Sequence, residues 1–371
     1  MKDRDLASLL GASVLSGAGS LPLHLMPLIV PVLVIGGRMS LGDAGLVVSA
    51  VLLGQLAAAL ILPVLDIRVI ERTQAAVMTA VLLVGLIVTG FDSAAFLLLG
   101  WFVVGMCCGG FQYLGTITAA LHSRPAFAFP IRLGVVLCLA GVTAGALQWT
   151  AGLRTYWTMI AVLLVAFGLI LAIGIFLHHS LTSSSSRTTE RRSWGGVATL
   201  VALAVVFLLF VGQSGLLAYA IQRATDRGIV LQDASWALAG MKVAAGLVLL
   251  SLARKGLQNK QHPRFVELGV LLAASNFLIA TTTSLQAFFL GLLALEIAFN
   301  LLSARLQAKV SDMAPTFAGQ WLVATMLLGA ATGPAVHGAA LALDADSAFM
   351  FFAMASALLP MSLLVVRSTQ A

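Results

Sequence analysis

The run LLALEIAFNLLSARLQ, residues 292 to 307, sets Glu296 among apolar neighbours in a chain with only 14 acidic residues in 371. Lys242, within WALAGMKVAAGLVLL, and His24, within SLPLHLMPL, are surrounded in the same way. A carboxylate can take up and release a proton, an ammonium can attract an anion or cancel a carboxylate, and an imidazole can do either around neutral pH. An ionised group in hydrocarbon costs roughly 2.5–3.5 kcal/mol on insertion scales, so such groups face a protein interior or a watery path. Lys242 and Glu296 each lie about ten residues from the outer end of their apolar segment, which gives them a common depth. A pair between them reads two ways. It is either a clasp between two helices or a switch in which Glu296 accepts a proton and frees Lys242 to act on a solute.

Neutral polar residues extend both segments. Glu296, Asn300, Ser303 and Gln307 recur at i, i+4, i+7 and i+11, and Ser13, Ser16, Ser20 and His24 at i, i+3, i+7 and i+11. On a helix each set forms a stripe along one face. Serines in apolar helices also bond their own backbone or ease close packing, so both uses stay open. Pro22, Pro27 and Pro31 flank His24 and are expected to distort the helix and free carbonyls. Gln112 and Tyr113, and further on Gln213, Ser214 and Tyr219, are neutral donors and acceptors for substrate or for neighbouring helices. Arg132 reads as an anchor whose side chain snorkels to the membrane surface. Gly105 with Gly109, and Gly141 with Gly145, are GxxxG steps that suit close helix packing.

The segments carrying these residues are membrane spans. The chain is 60% hydrophobic and 9% charged, against roughly 25% charged in a soluble domain. Spans are predicted near 8–35, 41–65, 73–92, 94–121, 127–152 and 156–178, then near 195–221, 232–253, 265–283, 286–309, 319–342 and 347–366. Twelve is the preferred count; short loops leave eleven open. With the amino terminus inside, 16 of the 21 Lys and Arg residues fall on the cytoplasmic side, so both termini are predicted to be cytoplasmic. The net charge of +7 is therefore a topology signal with an affinity for lipid, and it gives no reason to expect nucleic acid. No removable signal peptide is read at MKDRDLASLL, and the expected location is the cell (inner) membrane.

The polar run HHSLTSSSSRTTERRSW, 178 to 194, divides the spans six and six. The predicted organisation is a bundle over 1–178, a cytoplasmic linker over 179–194 and a second bundle over 195–371. This is the parallel-repeat plan of many secondary transporters, although the repeat is visible in hydropathy and not residue by residue. Cys107, Cys108 and Cys138 all lie in apolar segments, so no disulfide framework is expected. Met106, Cys107 and Cys108 could pass copper(I) as a minor alternative. No P-loop, dinucleotide fingerprint, HExxH or GxSxG occurs, so no enzyme, cofactor or resident metal is expected.

The chain resembles the major facilitator superfamily. GQLAAALILPVLDIRVIERT, 54 to 73, is similar to the family signature between spans two and three at Asp66, with Arg68 and Arg72 near its basic positions, while Leu62 and Val69 replace its glycines. LQAKVSDMAPTFAGQWLVATMLLGAATGPAVHG, 306 to 338, resembles the tenth span, the turn with Pro315 and Gly319, and an eleventh span with Gly333 and Pro334. Span 4 reads LLLGWFVVGMCCGG over 97–110, without the arginine usual near its start in the drug/proton antiporters, which argues against an ordinary member of that subgroup. The resemblance implies an all-α fold in which spans 1, 4, 7 and 10 line a cavity and two bundles rock about it, with Asp66, Arg68 and Arg72 as a latch. The expected function is alternating-access transport of a small organic solute, with protons as a coupling partner. Glu296 and His24 are the expected proton sites, and His24, Ser20, Gln112, Tyr113, Gln213, Lys242, Glu296 and Asn300 the expected solute site. The embedded Lys242 leans towards an anionic or zwitterionic solute, an inference that disappears if Glu296 neutralises it. A monomer is expected, and a non-transporting membrane sensor or assembly factor of the same fold is the alternative.

Overall fold

The computed structural model describes residues 3–35, 38–39, 41–65, 71–150, 155–177, 196–254, 265–313 and 315–342. Among these, the first six helices are α1 (Asp3–Ile35), α2 (Leu41–Val64), α3 (Arg72–Val88), α4 (Ala94–Leu121), α5 (Pro125–Thr150) and α6 (Tyr156–Leu177). They are followed by α7 (Gly196–Asp226), α8 (Leu231–Arg254), α9 (Phe265–Thr281), α10 (Leu285–Met313) and α11 (Pro315–Ala342). Eight of these are long and apolar enough to cross a membrane, and α3, α9 and part of α11 are shorter apolar helices. The predicted span over 347–366 and the linker over 179–194 lie outside the described residues, as do Asp66 and Arg68.

Local signals set several boundaries. Pro125 and Pro315 open α5 and α11 at a position where a missing N–H costs nothing. Gly228, with φ 87°, closes α7 by a left-handed turn in which the Ile229 N–H donates to the Ala224 carbonyl at 2.9 Å. That short reversal lets α8 run straight back and carry Lys242 to mid-depth. The prolines of α1 do not break it. The helix is continuous from Asp3 to Ile35 through Pro22, Pro27 and Pro31, so the distortion expected there leaves no gap in the element.

The helix contacts repeat under a shift of six. Among the first six helices, α1 packs on α4 and α5, α2 on α4, and α3 on α4. Likewise α7 packs on α10 and α11, α8 on α10, and α9 on α10. The seams between the two sets follow the same rule: α5 with α8 and α10 corresponds to α11 with α2 and α4. A repeat invisible in the residues is thus present in the packing.

Glycine makes the tightest seams. A Cβ on Gly141 of α5 would lie 2.6 Å from Val243 Cγ2 and 2.8 Å from the Ala239 carbonyl oxygen of α8, and one on Gly246 of α8 would lie 2.7 Å from the Gly134 carbonyl oxygen of α5. Gly105 and Gly109 of α4 press equally close to the backbone of α2 at Val51 and Gln55. Gly145 has only Trp236 near it, at 3.7 Å. The two GxxxG steps therefore pack at three of their four glycines.

Backbone cannot yield as a side chain can, so Gly141→Ala is expected to cost about 1–3 kcal/mol by overpacking. Gly168 of α6 has nothing within 4 Å of the same added atom, and Gly168→Ala should be neutral or stabilise by up to about 1 kcal/mol. Thermal unfolding of the two variants in detergent, side by side, checks the contrast.

Candidate functional site

Five helices, α1, α4, α5, α8 and α10, meet at a buried polar seam, and both predicted stripes face it. On one level, Lys242 of α8 donates to Glu296 Oε1 of α10 at 2.8 Å and lies 3.2 Å from His24 Nδ1 of α1. A charged ammonium has only donors, so His24 Nδ1 is the acceptor and the imidazole carries its proton on Nε2. Asn300, one turn along α10, fixes the carboxylate: its Nδ2 donates to Glu296 Oε2 and to the Glu296 carbonyl, both at 2.8 Å. Lys242 and Glu296 are each 1% exposed, whereas His24 retains partial exposure.

On the second level, Arg132 of α5 donates from Nε to Ser16 Oγ of α1 at 2.9 Å and from Nη1 to Gln307 Oε1 of α10 at 3.3 Å. Gln307 Nε2 in turn donates to Ser303 Oγ at 2.6 Å. Ser20, one turn from Ser16, donates to the Ser16 carbonyl at 2.9 Å and accepts from Gln112 Nε2 of α4 at 3.0 Å. Each level is a cation bridging the α1 stripe to the α10 stripe. The levels are separated by eight residues on α1 and eleven on α10, about 12 and 16 Å at 1.5 Å per residue.

The common depth read for Lys242 and Glu296 becomes a direct contact. The snorkelling expected of Arg132 is corrected: its side chain is 1% exposed and held inside, because α5 is covered at this position by α1, α8 and α10. Its place seven residues after Pro125, about 10 Å from the helix start, was the available signal.

The other predicted residues fall around the seam. Ser20, Gln112 and Asn300 join it through the bonds above. Tyr113, the next residue on α4, is buried at 1% exposure, and Gln213 of α7 is buried with Oε1 lacking a hydrogen-bond partner among the described residues. Ser13 bonds the Leu9 carbonyl and Ser214 the Phe210 carbonyl, the bland use open to each. Tyr219 donates to the Pro334 carbonyl at 3.1 Å. Of the latch residues, Arg72 is described and donates to the Phe176 carbonyl of α6 at 3.2 Å.

Two features escaped sequence reasoning. His337 of α11 is fully buried in space left by Gly215 of α7, with Nδ1 3.0 Å from the Gly333 carbonyl. At the end of the fold opposite the seam's arginine level, Arg38 pairs with Asp92 at 2.6 Å, bonds the Gly90 carbonyl at 2.9 Å and stacks 4.4 Å over Tyr156. Neither residue lies in a regular polar stripe. The sulfur cluster does not converge: Cys108 Sγ reaches the Ala18 carbonyl at 3.8 Å while Met106 is 37% exposed. Among the described residues no group of three or more His, Cys, Asp or Glu is placed to hold a metal. A concave volume of about 520 Å³ opens elsewhere, at the N-terminal ends of α8 and α10, between Asp233, Trp236, Leu285 and Phe289.

No protein-family model and no curated protein matches the sequence. Solved structures do. The human organic anion transporter MFSD10 (TETRAN) matches with a TM-score of 0.72 at 17% identity, over 98% of this chain and 100% of that one. The E. coli fucose:proton symporter FucP matches in two structures at 13% identity, over 98% of each chain, with TM-scores of 0.63 for a variant and 0.65 for an outward conformation. The chain has the fold of the major facilitator superfamily, a multi-pass membrane fold, as its sequence resemblance implied. Identities this low carry the fold alone.

Removing one member of a buried ion pair strands the other charge, at a cost of about 3–5 kcal/mol, whereas replacing both by apolar groups of similar size is often neutral. Lys242→Met and Glu296→Leu are each expected to destabilise by that amount, and the double variant to recover most of it. Denaturation in detergent of the two single variants and the double variant measures the coupling.

Proposed function

We propose that this chain is a secondary transporter that moves a small organic solute across the cell membrane by alternating access, coupled to protons at Glu296 and His24. The observation that carries the reading is the cluster His24, Lys242 and Glu296, which joins α1 to α8 and α10 through one ammonium. In this reading residues 1–178 and 195–371 are two six-helix bundles with twelve spans and cytoplasmic termini, and 179–194 is the tether. Asp66, Arg68 and Arg72 act as a latch between them. The solved structures of this fold named above include transporters of an organic anion and of fucose with a proton, so the fold supports transport and leaves the solute to the site.

The coupling follows from charge. With Glu296 ionised, Lys242 is held between the two sets of helices and the seam is closed. A proton on Glu296 removes the attraction that holds Lys242, and a proton on His24 Nδ1 converts its acceptor into a like charge. Either event weakens a contact that crosses the seam, which biases the balance between two arrangements of the bundles. Asn300 sets the carboxylate in place for this step. Ser20, Gln112, Tyr113 and Gln213 supply the neutral contacts for the solute.

The direct pairing of Lys242 with Glu296 removes Lys242 as an argument for an anionic solute. It leaves the proton role intact.

Proteoliposomes loaded with a pH-sensitive dye and exposed to metabolite mixtures test the proposal. Solute-dependent proton movement is expected for the native protein. Glu296→Gln, which cannot ionise, should slow it by about a hundredfold or more, the lower end of what a positioned acid–base group contributes. Solute uptake that ignores a pH gradient and survives Glu296→Gln would exclude the proton role and leave a uniporter.

A further inference from the structure

We propose that Arg132 is the anion-binding arm of the solute site, and that the solute is a small organic monoanion bearing a carboxylate and a hydroxyl or N–H donor close to it. The proposal rests on the transport reading above and names the class of its solute.

Charge balance along the seam comes first. Lys242 and Glu296 cancel each other at 2.8 Å. Arg132 is 1% exposed, yet its partners are the neutral Ser16 and Gln307, and among the described residues no carboxylate pairs with it. By sequence, Glu296 is the one acid in the middle of a span, and it is already committed. Among the described residues the seam therefore holds one uncompensated positive charge away from water, an expensive arrangement unless something negative visits it. A monoanion brings the seam to neutrality, whereas a dianion or a cation does not.

Donor geometry comes second. A guanidinium has five N–H donors in a planar fork suited to a carboxylate. Ser16 and Gln307 use one on Nε and one on Nη1, and none of the described residues takes a hydrogen bond from Nη2. The fork is thus oriented by neutral side chains while keeping capacity for an oxyanion.

The third observation is independent of Arg132. Gln112 is 6% exposed, and its Oε1 has no hydrogen-bond partner among the described residues. Its orientation is fixed by logic. Ser20 spends its proton on the Ser16 carbonyl, so it must accept from Gln112, and the amide nitrogen must face Ser20. The oxygen is then a buried acceptor awaiting a donor, a group that costs stability when left unpaired. Ser16 and Ser20, the hydroxyls that orient Arg132 and Gln112, lie one turn apart on the same face of α1, about one helical pitch, ~5–6 Å, so the two side chains are held beside one another. A carboxylate with a nearby hydroxyl or N–H satisfies both.

The test reads binding without flux. Full-length protein in neutral phosphatidylcholine nanodiscs is melted, at constant ionic strength, with glycolate, lactate and mandelate, each beside its own amide. At saturation at least one acid is expected to raise Tm by about 2–4 °C while its amide does not. Arg132→Gln should abolish the shift, and Arg132→Lys, which keeps the charge without the fork, should retain part of it at higher ligand concentration. Gln112→Leu should reduce the advantage of lactate over propionate. The proposal is overturned if none of the three acids shifts Tm, if acid and amide act alike, or if the shift persists in Arg132→Gln. Should Arg132→Gln fail to fold, Arg132→Lys with native affinity for the acid overturns it. Loss of the acid-specific shift leaves proton-driven uptake standing, and an acid-specific shift in protein that moves neither solute nor protons keeps this site while removing the transport reading.

Discussion

A charge placed in hydrocarbon must find polar partners inside the protein, and the packing of this chain is organised around that requirement. The α1 and α10 stripes supply hydroxyls, amides, one imidazole and one carboxylate, and both cations come from other helices, α5 and α8. For Lys242 and Arg132 to reach across to both stripes, α5 and α8 must lie close together. Their backbones meet over Gly134, Gly141 and Gly246, where a single added carbon would strike main-chain atoms. Gly246 is four residues from Lys242 and Gly134 two from Arg132. The residues that permit the approach are neighbours of the residues that use it, so packing and site are one feature.

Much of this was legible in the sequence. Polar residues at helical spacing gave both stripes, because a helix has one geometry and its faces follow from arithmetic. The shared depth of Lys242 and Glu296 followed from counting in from the segment ends. Rotation and neighbour choice were not legible. Nothing local to His24 indicates that Lys242, 218 residues away, is its partner. Arg132 was misread for the same reason: whether an arginine near a helix start reaches the surface depends on what covers it, and three helices from elsewhere in the chain do so. Asp66, Arg68 and the last span lie outside the described residues, so their reading rests on the family resemblance.

The repeat in the contacts coexists with halves that share no residue-level pattern, and the charges explain the combination. Equivalent helices have equivalent neighbours, but Arg132 on α5 has no cationic counterpart on α11, and Lys242 on α8 has none within α2. Each seam needs small residues for close approach, which many sequences can supply, whereas each charge occurs once. A symmetric scaffold thereby carries an asymmetric interior, with the cations on the α5–α8 side.

That asymmetry bears on how the two levels act together. In the proposed mechanism a proton at Glu296 weakens the hold on Lys242; along α10, Asn300 is bonded to Glu296 and Ser303 to Gln307, and the helix backbone joins the two pairs. Arg132 holds the far end of the same stripe by Gln307. A shift of α10 relative to α1 therefore acts on both rungs at once, since both cations span the same pair of helices. In the proposed mechanism the two levels are joined through the α1 and α10 helices that both cations bridge, and neither level needs a direct charge interaction across the intervening 12–16 Å or so of helix.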